Sequence, residues 1–340
     1  MAELSDTLLF IAVVVYALAM LGFAGDGASR QARKQGASAE KARVPALVGG
    51  PGEPPAPPAL PPVSLAKPSR GVAGTLAVWL TAGGAVVHTG SVVARGIAAD
   101  RVPWGNMYEF SSATALAAVL AFLALLATRR VERSVGAFVM VPVVLYLGLA
   151  GTLLYTEAGP LVPALNSYWI KIHVIAAVIA SGAFLLSGVV ALLFLVRHRY
   201  DETTALLLAD PRATRPGLIS RKARPVTLAF PITLGRSLPA ASTLDRSAYA
   251  VIAFSFPIWT FAIVAGAIWA EGAWGRYWGW DPKETWSFIT WVLYAGYLHA
   301  RATAGWKGAK AAWIAVAAAV ALIIDYYVVN IFVVGLHSYA

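Results

Sequence analysis

Eight apolar runs constrain this chain more than any other feature. They fall near 7–24, 72–93, 109–128, 135–154, 172–196, 248–269, 285–300 and 311–335. A bilayer core about 30 Å thick takes about 20 apolar residues in a helix, and a helix satisfies its backbone polar groups internally. The expected fold is therefore an all-α polytopic membrane protein with about eight transmembrane helices. The seventh run is the shortest, though Trp286-Ser-Phe-Ile-Thr-Trp-Val-Leu-Tyr is apolar enough to span. Only 13% of residues are charged, too few for a soluble domain, and mean hydropathy is +0.67. The N-terminus lacks the basic region and small-residue cleavage site of a signal peptide, so its apolar run is expected to be a retained helix.

Punctuation between the runs divides the chain. Residues 1–24 are read as an N-terminal transmembrane helix and 25–70 as a linker, Pro-rich at 51–62. Residues 71–340 are read as a core of seven helices, with long loops at 197–247 and 270–284. Basic residues set the orientation. With both termini outside and alternating spans, the inner segments hold 22 of the 27 Lys and Arg. The outer ones are Arg95, Arg101, Lys171, Arg276 and Lys283. This is the positive-inside pattern. It puts the linker and loop 197–247 in the cytoplasm and loop 270–284 outside. It also explains a formal net charge of +10 by anionic lipid headgroups rather than nucleic acid.

Four tryptophans, Trp274, Trp278, Trp280 and Trp286, fall within thirteen residues of that outer stretch, beside Asp281 and Glu284. An interfacial aromatic belt accounts for one or two of them. A flat, apolar ligand with a charged edge accounts for all. His173 opens the fifth span and His337 follows the eighth, both at the tryptophan level. Two neutral imidazoles with flat apolar contact suit bis-imidazole ligation of haem iron. Arg276 and Lys283 are placed to pair with the propionates. His299 lies about 22 Å deeper along the seventh helix and cannot join them. It reads as an inner ligand whose opposite ligand belongs to another chain. His88 is open between a ligand role and satisfaction by its surroundings, and His198 reads as a surface residue. Asp325, deep in the last span, is by default functional, or else paired with a Tyr hydroxyl or a neighbouring donor. The chain has no cysteine, so any thiol chemistry belongs to a substrate or partner.

The run Trp274-Gly-Arg-Tyr-Trp278-Gly-Trp280-Asp281-Pro-Lys-Glu284 resembles the tryptophan-rich (WWD) signature of haem-handling proteins of cytochrome c biogenesis. The similarity is to the large membrane component of system II, the CcsA or ResC type, called CcsB in some bacteria. It extends through Trp286–Trp291, Tyr297-Leu-His299-Ala-Arg301, Trp169–His173, Asn106–Phe110 and Gly335–Ser338, covering roughly 72–340. The resemblance implies that His173 and His337 hold haem b outside and that His299 lies on its inward route. It also implies a partner of the CcsB or ResB type, which supplies the ligand opposite His299. Together they would form a holocytochrome c synthase in a bacterial cytoplasmic membrane. The two thiols of an apocytochrome Cys-x-x-Cys-His segment then add to the haem vinyl groups, with an external thioredoxin-like protein keeping thiols reduced. Trp278, Trp280 and Asp281 would position the haem rather than act as nucleophile or base. Two other readings stay open: a haem channel or exporter without ligation, and a quinol-linked electron-transfer subunit.

Overall fold

The computed structural model describes residues 1–43, 71–160, 167–209, 229–303 and 305–337, so the Pro-rich stretch 51–62 lies outside them. Among the described residues there are eight long helices and no strand. These are α1 (Ala2–Arg43), α2 (Val72–Ala99), α3 (Met107–Ala127), α4 (Gly136–Leu153), α5 (Tyr168–Ala209), α6 (Ala241–Trp274), α7 (Pro282–Ala302) and α8 (Ala309–Phe332). The last contains a π-helical turn at Ile324–Val328. The chain is an all-α polytopic membrane protein: seven of these helices are long and apolar enough to cross a membrane.

The exception is α7, the seventh run, which carries Lys283, Glu284, His299 and Arg301. It nevertheless lies antiparallel along α6. Trp259 Nε1 donates to the Ser287 carbonyl at 3.3 Å and Trp291 Nε1 to Thr260 Oγ1 at 2.9 Å. At the far end Arg301 grips both oxygens of Asp245, at 2.5 and 2.9 Å. Partners inside the protein thus offset the low apolarity of α7.

Two helices overrun the expected boundaries furthest. Beyond residue 24, α1 continues to Arg43 through a stretch rich in Ala, Arg, Lys and Gln, with no proline before Pro45. Beyond Arg197, α5 continues to Ala209, where Arg197–Asp201 and His198–Glu202 form i,i+4 pairs. Hydropathy marks where an apolar run stops, not where a helix does.

Small residues let the helices approach closely. Gly74, Ala77, Thr81, Gly84, Ala85, His88 and Ser91 form the buried face of α2. Ala311, Ala315 and Ala318 of α8 pack with Ala177, Ala180 and Phe184 of α5 in one core cluster. The most enveloped helix is α5, with 78% of its most apolar window buried. A smaller cluster of Ile170, Val174, Val178 and Trp269 sits where α5 begins and α6 ends. That is the tryptophan end of the bundle.

Candidate functional site

The local sequence builds the tryptophan end. At its close, α6 is shut by the Gly275 N–H on the Glu271 carbonyl at 2.8 Å. Only seven residues, 275–281, then separate it from α7. Asp281 and Glu284 form a capping box on α7, with Pro282 in its first turn. Glu284 Oε2 accepts from the N–H groups of Gly279 at 2.8 Å and Asp281 at 3.1 Å. These bonds fold the loop tightly enough to hold Trp280 at φ +59, a left-handed conformation unusual for a bulky residue.

Asp281 also ties down the chain beyond α8. Its Oδ1 accepts from the Leu336 N–H at 2.9 Å and its Oδ2 from His337 Nδ1 at 2.8 Å. A Cβ on Gly335 would lie 2.8 Å from that carboxylate, so the close approach needs glycine. Burial opposes ionisation of Asp281, yet the Leu336 N–H and the His337 ring hold its carboxyl below the usual range. Burial pushes the His337 imidazole below its ordinary value, against the pull of Asp281. His337 is thus a neutral imidazole with its proton on Nδ1 and its lone pair on Nε2.

His173, on α5, has the same arrangement by another route. Its Nδ1 donates to the Ala262 carbonyl at 2.7 Å, an oxygen that can only accept, which again puts the lone pair on Nε2. A Cβ on Gly266 would fall 2.7 Å from this Nδ1, so α6 leaves room for the ring there. One turn along α6, Trp269 meets His337 edge-on at 5.8 Å between centroids, and Trp274 meets it at 4.9 Å. Both imidazoles line one cavity of ≈ 320 Å³, whose walls include Trp104, Trp259, Trp269 and Trp278. Its size and mostly apolar lining suit a small-molecule site.

The other expected site residues divide. Trp278 and Lys283 line the cavity, and Trp274 adjoins it through His337. Trp280 is 65% exposed and touches Trp278 and Phe288 edge-on. Arg276 is exposed and folded over Gly279, away from the cavity wall. Trp286 is half-buried and does not line the cavity. His299 is exposed in the last turn of α7, near the Arg301–Asp245 pair. Asp245 lies roughly 25 Å along α6 from Ala262, so the structure does not bring His299 to the other two histidines.

His88 is fully buried among α1, α2 and α3, with Nε2 2.9 Å from Ser112 Oγ and Nδ1 3.4 Å from the Tyr16 hydroxyl. Both ring nitrogens thus have protein partners. Trp104, Trp259, Trp269 and Gly266 belong to the site as well and carry little signal in the sequence. Trp259 and Trp269 look like ordinary apolar residues of a span, and nothing local marks Gly266 as the gap for a ring on another helix. Arg95 and Arg101 are two of the five outer basic residues. Both bind buried Glu109, at 3.0 and 2.6 Å, and Glu109 Oε2 accepts the Gly105 N–H at 2.8 Å. Together they brace the turn that carries Trp104.

The family model of the cytochrome C assembly protein matches residues 104–337, which include both cavity histidines and the tryptophans around them. Among curated relatives, the cytochrome c biogenesis protein CcsA of Gloeobacter violaceus is 35% identical over 279 residues, covering 74% of this chain and 82% of that protein. The protein of the same name from Synechococcus sp. strain JA-3-3Ab is 39% identical over 280 residues, covering 73% and 80%. That of Microcystis aeruginosa is 36% identical over 270 residues, covering 72% and 81%.

Proposed function

Because the chain belongs to the cytochrome C assembly protein family and so acts in cytochrome c biogenesis, we propose that its cavity holds haem b between His173 and His337. One observation carries this reading. Two histidines from distant parts of the chain line one aromatic cavity, each with Nδ1 committed to an acceptor and the lone pair on Nε2. That is the state an imidazole needs to bind iron, with the outer partner fixing ring orientation. Trp278 and Trp274 supply apolar contact, and Asp281 positions His337. Arg276, Trp280 and Trp286 are the rim on which an incoming polypeptide would settle.

The haem is the cargo and the reaction is thioether formation. Each cysteine S–H of a Cys-x-x-Cys-His segment adds across a vinyl C=C. Sulfur bonds to the carbon next to the ring and the hydrogen goes to the terminal carbon, with no net oxidation. The protein contributes placement, which can be worth several kcal/mol of barrier. An external thioredoxin-like protein supplies the reducing equivalents that keep the thiols free. His299 is an entry position for haem arriving from the cytoplasmic side, its exposed face meeting a CcsB- or ResB-type membrane partner that donates the opposite ligand. The tryptophan end faces away from the cytoplasm in a bacterial plasma membrane, a placement that the distribution of basic residues supports.

Co-expression of the chain with its partner and a Cys-x-x-Cys-His acceptor tests the reading. Covalent haem on the acceptor is expected, lost when His173 or His337 becomes Ala. Haem that crosses the membrane without becoming attached would reduce the assignment to export.

A further inference from the structure

The cavity wall carries an ion pair that iron ligation does not use. Lys283, in the first turn of α7, and Asp325, in the π-helical turn of α8, both line it. Lys283 Nζ donates to the Asp325 backbone carbonyl at 3.0 Å but stands 3.7 Å from the carboxylate Oδ1. Asp325 is 2% exposed, and its Oδ1 receives no hydrogen bond. Oδ1 of Asn330, also in the wall, receives none either. A buried carboxylate oxygen that receives no hydrogen bond, 3.7 Å from its counter-ion, makes a poor structural pair. A π turn, a local irregularity common at functional sites, presents it.

The other cations of the wall are differently placed. Arg101 is bound to Glu109, Gly159 and Val102, and Lys171 is exposed. Lys283, half-buried in the wall, is therefore the ammonium most readily drawn toward an anionic ligand, held meanwhile over the Tyr326 ring at 5.2 Å. Haem carries two carboxylates.

Building on the haem reading, we propose that Lys283 is the receptor for a haem carboxylate and that Asp325 is a resident competitor for it, which keeps the bound porphyrin releasable. Before haem arrives, the two opposite charges face each other across 3.7 Å. An arriving carboxylate must share the ammonium with Asp325, and the two anions repel in a medium that screens poorly. Haem then binds less tightly than aromatic contact and two imidazoles would otherwise make it. A protein that hands its cargo on needs that ceiling.

The test compares haem with haem dimethyl ester, which has the same ring and iron but no carboxylates. Both are titrated into the haem-stripped complex in nanodiscs, as wild type, Asp325→Asn, Lys283→Gln and the double variant. Asp325→Asn should bind haem about tenfold tighter, equivalent to roughly 1.4 kcal/mol, with the ester unchanged. Lys283→Gln should weaken haem alone. The double variant, which removes both charges together and so tolerates the loss, should bind haem and ester alike. If Asp325→Asn leaves haem affinity unchanged, weakens it, or shifts haem and ester equally, the proposal is overturned while the haem site stands. If wild type binds neither with a bis-imidazole spectrum, both readings are overturned.

Discussion

Replacing Asp281 by asparagine tests how His337 is held. The carboxylate caps α7, receives the Leu336 N–H at 2.9 Å and receives His337 Nδ1 at 2.8 Å. Asparagine keeps the shape and one oxygen. A hydrogen bond to a charged group is worth about 1.5–3 kcal/mol and a neutral one about 0.5–1.5. The exchange therefore costs the His337 tie about 1–1.5 kcal/mol, close to a tenfold loss of haem affinity. The single amide oxygen cannot serve His337 and Leu336 as two carboxylate oxygens do. A half-buried N–H then loses its protein acceptor, for about 1 kcal/mol of stability. Asp281→Ala also loses the helix cap, worth about 1 kcal/mol, and should unseat the 335–337 segment. Haem titration of the purified complex followed by absorbance reads the affinity, and thermal unfolding of the haem-free protein reads the stability. An Asp281→Asn protein with wild-type haem affinity would refute the tie between this carboxylate and His337.

Gly266→Ala should displace the His173 ring, because the new Cβ would sit 2.7 Å from Nδ1. Loss of the His173 signature from the haem spectrum, with the fold retained by circular dichroism, is the expected outcome. His88→Ala should lower stability by about 1–3 kcal/mol through the stranded Tyr16 and Ser112 hydroxyls, and the surviving protein should keep a wild-type haem spectrum. In the haem-free protein, the folded His337 resists protonation. As pH falls through about 6.5 the unfolded chain takes up a proton that folded His337 refuses, so stability declines there. The Asp281 carboxyl, held low, contributes stability that is full above its unfolded value of about 3.8 and is lost only as pH falls below it. A His337→Gln variant should flatten the first decline in a thermal-melt series across pH.

Hydropathy and helix-breaking residues made the bundle legible in the sequence, since a membrane demands long apolar helices and nothing else in the chain imitates them. The charged extensions of α1 and α5 were not legible, because helix propensity continues past the point where apolarity ends. For α7 the reverse held: its length was read, while the pairing of Arg301 and Lys283 that lets it be polar depends on residues over forty positions away. At the site, His173, His337 and Trp278 could be chosen by depth, a one-dimensional quantity. Which tryptophans face the cavity is a matter of rotation about each helix. That is why depth alone does not single out Trp259 and Trp269, nor separate them from Trp280 and Arg276, whose exposed side chains are not part of the cavity lining. Lys283 was assigned to a propionate from its charge alone, and its contact with Asp325 is visible only in three dimensions.

The absorption spectrum of the purified complex tests the central claim most directly. Haem held by His173 and His337 predicts a bis-imidazole spectrum that is lost in His173→Ala and in His337→Ala and restored in each by added imidazole. An unchanged spectrum in both variants would contradict it.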